Sequence, residues 1–109
     1  MQMNHYSKCA AECSRCMTEC EECYQHCSHH VTSGHEDHAA CMQLCNDCAA
    51  ICGVAAQLSA RQGPLADLIC EACAKACDDC AAECEKFSSE THMSECAEQC
   101  RTCAEACRE

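Results

Sequence analysis

The apolar positions of this chain follow one spacing from end to end, and nearly all of the most regular ones are cysteines. Within residues 9–27, six cysteines follow one another at steps of four, three, four, three and four. Steps that average 3.5 residues match the core-facing positions of packed helices and are incompatible with the two-residue period of a strand. The pattern predicts four amphipathic helices, because the cysteines form four sets: Cys9, Cys13, Cys16, Cys20, Cys23 and Cys27; Cys41, Cys45, Cys48 and Cys52; Cys70, Cys73, Cys77, Cys80 and Cys84; Cys96, Cys100, Cys103 and Cys107.

Short polar stretches separate the four sets and suggest where each helix stops. The predicted helices are 4–31, 35–61, 64–87 and 91–108. Ser33 and Glu36 have the spacing of a capping box for the second helix, and Gly63 followed by Pro64 ends it and starts the third. Since the connections are short, successive helices should be antiparallel. The sequence therefore predicts an all-α fold, an antiparallel up-down-up-down four-helix bundle that occupies residues 1–109 as one domain with a cysteine-lined core.

Composition shows that the thiols must fill the interior. Residues of the apolar type make up 49% of the 109, but 19 Cys supply much of that share, and only four Leu, two Ile, two Val and one Phe remain for ordinary packing. A protonated cysteine packs as a small hydrophobe. All nineteen sulfurs are thus expected to face one shared channel, which the first helix alone would line over roughly 27 Å.

The net charge and the lack of a targeting pattern restrict what this protein is expected to bind and where it is located. Eighteen acidic residues against seven Lys and Arg give a net charge of −11, which is the wrong sign for a phosphate-binding surface, so no nucleic-acid partner is expected. No apolar run resembles a membrane span and the N-terminus does not resemble a secretory signal, so we expect a cytoplasmic protein that is not bound to a membrane. Thiols stay reduced in the cytoplasm, which favours metal binding over disulfides.

Three explanations of the thiols compete. Cysteine as a structural filler would sacrifice buried apolar area, and disulfides between residues three or four apart on a helix would be strained. Redox catalysis by a CxxC pair requires an exposed thiol at a helix N-terminus, whereas these pairs lie inside helices. No residue is assigned a catalytic role. Metal binding is the remaining explanation, and a helical interaction module that does not need its thiols is kept as an alternative from another class.

The charge of the ligands favours a monovalent metal. Cu(I) is soft, prefers thiolate and can be bridged by two thiolates, which reaches about one ion per sulfur with balanced charge. Zinc would form about four or five separate sites of four cysteines, each with excess negative charge. A cysteine-rich zinc or iron–sulfur protein remains the alternative.

The repeats CAAECSRC, CMQLCNDCAAIC, CEACAKACDDCAAEC and CAEQCRTCAEAC resemble those of the copper storage proteins, specifically their cytosolic branch. The resemblance covers essentially the whole chain. It implies a four-helix bundle that holds multiple Cu(I) ions per monomer on its core cysteines and assembles as a homotetramer. A copper chaperone or a small thiol is the expected donor of the copper ions.

Extension of the helical spacing beyond the last cysteine of each helix distinguishes the two ends of the bundle. At one end it reaches His30, His38, Phe87 and Met93, with His92 and other histidines close by. Imidazole and thioether bind Cu(I) more weakly than thiolate, so His30, His38, His92 and Met93 are predicted to take up copper and pass it inward. At the opposite end the spacing reaches Tyr6, Ala55 and Ala66. This end is expected to be an apolar plug, with Val54, Leu58, Leu65, Leu68 and Ile69 close by.

Overall fold

The computed structural model describes residues 4–109 as four long helices. They are α1 (His5–Thr32), α2 (Ala39–Arg61), α3 (Ala66–Cys84) and α4 (Thr91–Arg108). One short 3-10 turn, Glu36–His38, leads into α2, and another, Glu85–Phe87, follows α3. No strand occurs among these residues, so the predicted all-α class and four helices are confirmed.

The four helices pack side by side in a rod of 46 × 20 × 19 Å. Each helix packs against the two that are adjacent in the bundle, α1 on α2 and α4, and α3 on α2 and α4. This is the antiparallel up-down-up-down arrangement that the short connections predicted. It places the end of α1, the start of α2, the end of α3 and the start of α4 at one end of the rod, which we call the histidine end.

The helix boundaries agree with the predicted ones to within a few residues, but two of the predicted signals are wrong. Ser33 does not cap the second helix with Glu36; it follows the last turn of α1, where its backbone N–H donates to the carbonyls of His29 and His30. The left-handed residue that ends α2 is Gln62, with φ 53°, and Gly63 comes after it. Pro64 lies in the turn before α3, which begins two residues later.

The core is built from thiols, as the composition predicted. All nineteen cysteines are buried, together with small alanines on the same helix faces and Met93. Larger side chains such as Tyr24, Met42 and Ile51 pack only against the outside of this core. Small residues at the helix interfaces allow the backbones to approach closely, so the sulfurs of different helices meet along the axis of the rod.

The stretch Glu36–Arg61, which contains α2, is long and apolar enough by composition to cross a membrane, with a mean hydropathy of 1.4. This criterion rests on length and composition alone, and a helix in the core of a bundle also satisfies it. The apolar character arises from Cys and Ala, and the four cysteines of α2 are buried in the bundle. In this structure α2 is one of the four core helices.

Candidate metal centre

The nineteen thiols form a continuous column along the axis of the bundle, which we call the thiol channel. Neighbouring sulfurs from different helices lie close together, at 3.1 Å for Cys9 and Cys107 and 3.2 Å for Cys41 and Cys84. A disulfide has sulfurs about 2.05 Å apart. All nineteen cysteines are free. Reduced thiols at these distances are ready to act as ligands without rearrangement of the helices.

Groups of four sulfurs are stacked along the channel, and consecutive groups share members. The sulfurs within each group lie within 4.8 Å of one another. Cys16 belongs to two successive groups, and so do Cys20 and Cys96. Five of these groups are Cys13, Cys73, Cys103 and Cys107; Cys16, Cys52, Cys77 and Cys103; Cys16, Cys20, Cys48 and Cys100; Cys20, Cys80, Cys96 and Cys100; and Cys23, Cys45, Cys84 and Cys96. Since a sulfur cannot belong to two separate sites at once, the channel favours ligands that bridge adjacent ions.

Within the part of the chain that the structure describes, the interior contains no Lys or Arg that could balance thiolates. Among residues 4–109, the buried side chains other than Cys, Ala and Met93 are His38 and Ser59. Burial raises the pKa of Cys70 to about 11. Hydrogen bonds with neighbouring thiols, together with burial, also raise the pKa of Cys100 and Cys45. Hydrogen bonds from Cys23 and Cys27 lower the pKa of Cys41, because a thiolate there accepts them. Extensive deprotonation of the channel therefore requires cations from outside.

At the histidine end, three imidazoles surround one carboxylate. Oε1 of Glu90 lies 2.9 Å from Nε2 of His26 and 3.3 Å from Nε2 of both His30 and His38. We call these four residues the Glu90 cluster. Partial burial raises the pKa of Glu90, but hydrogen bonds from His26 and His38 and the nearby imidazole charges outweigh this and lower it. Partial burial and the charge of His38 lower the pKa of His30.

Met93 lies beside the thiols nearest the histidine end. Its side chain is fully buried, and Sδ lies 3.6 Å from Sγ of Cys23 and 3.8 Å from Sγ of Cys27. Met93 precedes Cys96 by three residues, so both share the buried face of α4. That face thus presents a thioether and then a thiol, and Glu90 lies just before the helix in the chain.

The other predicted residues of this end lie around the Glu90 cluster. The rings of His30 and His38 are stacked with centroids 4.2 Å apart, and His92 is exposed with its ring 4.9 Å from that of His26. A shallow cavity of about 210 Å³ opens beside them and is lined by His29, His30, Ser33 and His35. The structure therefore gathers six of the seven histidines at one end, as the sequence indicated. Their role as copper ligands stays a prediction.

The opposite end agrees only in part with the predicted apolar plug. Ala55 and Ala66 are buried and Ile69 packs against the core, but Leu65 is 58% exposed, Leu68 67% and Val54 44%, so the larger side chains do not fill the end of the channel. The thiols end instead at Ser59, whose hydroxyl lies 3.3 Å from Sγ of Cys70 and 3.6 Å from Sγ of Cys9. Farther out, the Tyr6 hydroxyl donates to Asp67 at 2.7 Å.

Sequence reasoning missed Glu90 and Ser59. Glu90 occupies the turn before α4, where acidic residues are common, so nothing in the pattern distinguishes it from a solvated residue. Ser59 had a detectable signal, because it lies seven residues after Cys52 and continues the spacing of α2. The seven-residue step places both residues on one helix face.

A four-helix bundle that encloses a continuous column of free thiols defines a class of helical, cysteine-lined metal-binding proteins. Comparison with known proteins identifies the family within that class. A family model described as copper storage protein matches residues 2–109. The chain belongs to the copper storage protein family.

Two solved structures of copper storage proteins are similar to this chain in both sequence and fold. The Cu(I)-bound copper storage protein BsCsp3 is 33% identical, with 96% of each chain covered and a TM-score of 0.88. Apo-Csp3 from Bacillus subtilis is 35% identical, with 92% of each chain covered and a TM-score of 0.80. No match was found among curated proteins. The resemblance to the copper storage protein family stated from the cysteine repeats is thereby confirmed, and its assignment to the cytosolic branch stays a prediction.

Proposed function

We propose that this protein stores Cu(I) on the thiolates of its core. The observation that carries the proposal is the sharing of sulfurs between consecutive groups of four in the thiol channel. A thiolate that bridges two ions supplies half a negative charge to each, so two-coordinate Cu(I) reaches neutrality at about one ion per cysteine. Separate tetrahedral zinc sites cannot use a shared sulfur twice and would leave buried negative charge. A Cu(I)-bound relative with the same fold supports the same conclusion.

The stoichiometry of Cu(I) binding tests this function. Under anaerobic, reducing conditions and against a competing Cu(I) chelator, we expect the monomer to bind on the order of nineteen Cu(I), one for each of its nineteen cysteines. Zinc should be displaced from the channel by Cu(I). Saturation near five equivalents would refute the bridged-thiolate arrangement. Helical content measured in parallel ensures that a low value is not caused by unfolding.

Copper uptake at the histidine end is the finer part of the proposal. His30 is a partly exposed member of the Glu90 cluster and His38 its buried member, and Met93 is buried in contact with the first thiols, Cys23 and Cys27. Imidazole and thioether are weaker ligands for Cu(I) than thiolate, so an ion should move inward toward progressively stronger ligands. His92, which is exposed beside His26, extends this set toward solvent.

The rate of loading tests the uptake route separately from storage. Replacement of His30, His38 and His92 by Gln and of Met93 by Leu should slow both loading and removal of copper while total capacity stays nearly unchanged. A matched variant with His5→Gln and Met17→Leu changes the same residue types away from the histidine end and should load at the normal rate. If the fourfold variant loads as fast as the unmodified protein in stopped-flow measurements, copper enters elsewhere.

The cellular setting completes the proposal. The protein acts by storage and not by catalysis, is cytoplasmic, and receives copper from a chaperone or a small thiol. It assembles as a homotetramer, for which exposed apolar side chains such as Leu65 and Leu68 offer contact surface. Light scattering coupled to size-exclusion chromatography measures the oligomeric state, and a monomer at micromolar concentration would contradict the assembly.

A further inference from the structure

Storage of Cu(I) does not account for the carboxylate in the middle of the histidines. Carboxylate oxygen is a hard ligand that suits divalent ions and not Cu(I), whereas imidazole suits Zn²⁺ as well as copper. Glu90 is nevertheless in contact with three imidazoles, and its side chain makes no capping hydrogen bond to α4 although it occupies the N-cap position. Its side chain thus contributes to the histidines and not to the helix.

The distances from one oxygen of Glu90 to three imidazole nitrogens match those of a tetrahedral site. In a tetrahedron with metal–ligand distances of about 2.05 Å, neighbouring ligand atoms are about 3.3 Å apart. The distances from Oε1 of Glu90 to Nε2 of His26, His30 and His38 are 2.9, 3.3 and 3.3 Å. Three of the six edges of such a tetrahedron are therefore present, and they join at one oxygen.

The local structure directs the imidazoles toward this point. His26 and His30 are four residues apart on α1, the spacing at which two histidines on one helix bind a single zinc ion. Nδ1 of His38 lies 3.3 Å from Oδ1 of Asp37, while its Nε2 faces Glu90. A carboxylate that accepts a hydrogen bond from the other ring nitrogen orients a histidine for metal binding and increases its basicity as a ligand.

We propose that His26, His30, His38 and Glu90 form a binding site for one borderline divalent cation of the Zn²⁺ type, separate from the thiol channel. Binding requires the lone pair of each Nε2, so a proton held there in the metal-free protein moves to Nδ1 of a neutral ring or is released from a protonated ring, and the ion takes its place between the imidazoles and Glu90. The side chains of His26, His30 and Glu90 are 24%, 30% and 30% exposed and that of His38 is 5% exposed, so the site is open on one side and closed on the other. This inference does not depend on the route by which copper enters.

Zinc binding to copper-loaded protein tests the site, because Cu(I) occupies the thiols that would otherwise capture zinc. The full chain is loaded with Cu(I), washed with a chelator that removes copper held by imidazole alone, and dialysed against Zn²⁺. We expect one zinc per monomer. Glu90→Gln and, separately, His26→Gln should weaken zinc binding by about tenfold or more. Glu36→Gln and His5→Gln, which change an exposed acid of the same end and the histidine of the opposite end, should not.

Imidazole nitrogen resonances provide a second readout that does not rely on the variants. Zinc should shift the Nε2 resonances of His26, His30 and His38 and leave those of His5 unchanged. The proposal is overturned if no zinc is retained, or if Glu90→Gln and His26→Gln retain as much as the two control variants. Several zinc equivalents that are insensitive to Glu90→Gln would overturn it too, and would also show that copper had not filled the thiols. Circular dichroism confirms that each variant is folded.

Discussion

Substitutions of Met93 can separate the contribution of this side chain to packing from its contribution to the proposed uptake of copper. It is fully buried, and its sulfur is in contact with the sulfurs of Cys23 and Cys27. Met93→Leu keeps the volume and removes the thioether, so the free energy of unfolding of the metal-free protein should fall by less than about 1.5 kcal/mol. Met93→Ala removes the side chain beyond Cβ from an enclosed position and should cost about 2–5 kcal/mol.

The two variants should differ in stability but share one kinetic defect. If the thioether lowers the barrier for transfer from imidazole to thiol by about 1.4 kcal/mol, its loss slows the first phase of Cu(I) loading about tenfold in both variants. Urea unfolding measures the stability, and stopped-flow loading measures the rate. Met42→Leu is the matched control, since Met42 packs against the outside of the core.

Two results would refute this reasoning. Loading of Met93→Leu at the normal rate, with the capacity intact, would show that the thioether is only a core side chain. Slower loading in Met93→Ala alone would show that the cavity, and not the missing sulfur, disturbs the route.

Four further outcomes are expected. Burial raises the pKa of the Cys70 thiol from 9.0 to about 11. The contribution of the protonated thiol to the free energy of unfolding of the metal-free protein is therefore complete below pH 9 and is lost as the pH rises toward 11. Unfolding curves that do not change between pH 9 and 11 would contradict this expectation. Ser59→Cys places a thiol beside Cys9 and Cys70 and should add one Cu(I) to the capacity, whereas Ser59→Ala should add none. Metal-free protein should keep substantial helix but melt at a lower temperature than the copper-loaded form, and equal melting temperatures would mean that copper does not enter the core. Asn4→Ala removes the side chain that accepts from the Ser7 N–H at 2.9 Å and should cost about 0.5–2 kcal/mol in thermal unfolding, with Asn4→Ser close to neutral.

The sequence alone determined the helices and the direction in which each one faces. A cysteine spacing of 3.5 residues specifies a helix and places every thiol on one side of it, and short connections make successive helices antiparallel. Because these are local properties, the prediction of a thiol-lined bundle and of a histidine-rich end could be made without coordinates. The polar ends of the helices were also located correctly to within a few residues, even though the capping box at Ser33 was wrong.

The tertiary structure alone decided which side chains meet. Cys9 and Cys107 are 98 residues apart in sequence and 3.1 Å apart in space, and this proximity depends on the pairing of α1 with α4. Glu90 lies outside the cysteine spacing, so only the packing of the two connections at the histidine end brings its carboxylate to the imidazoles. Leu65, in the turn before α3, and Leu68, in the first turn of that helix, are apolar but exposed, because they lie on the side that faces away from the axis. The spacing of the cysteines determines which face of each helix is buried, whereas the distances between atoms of different helices are set by how the helices pack.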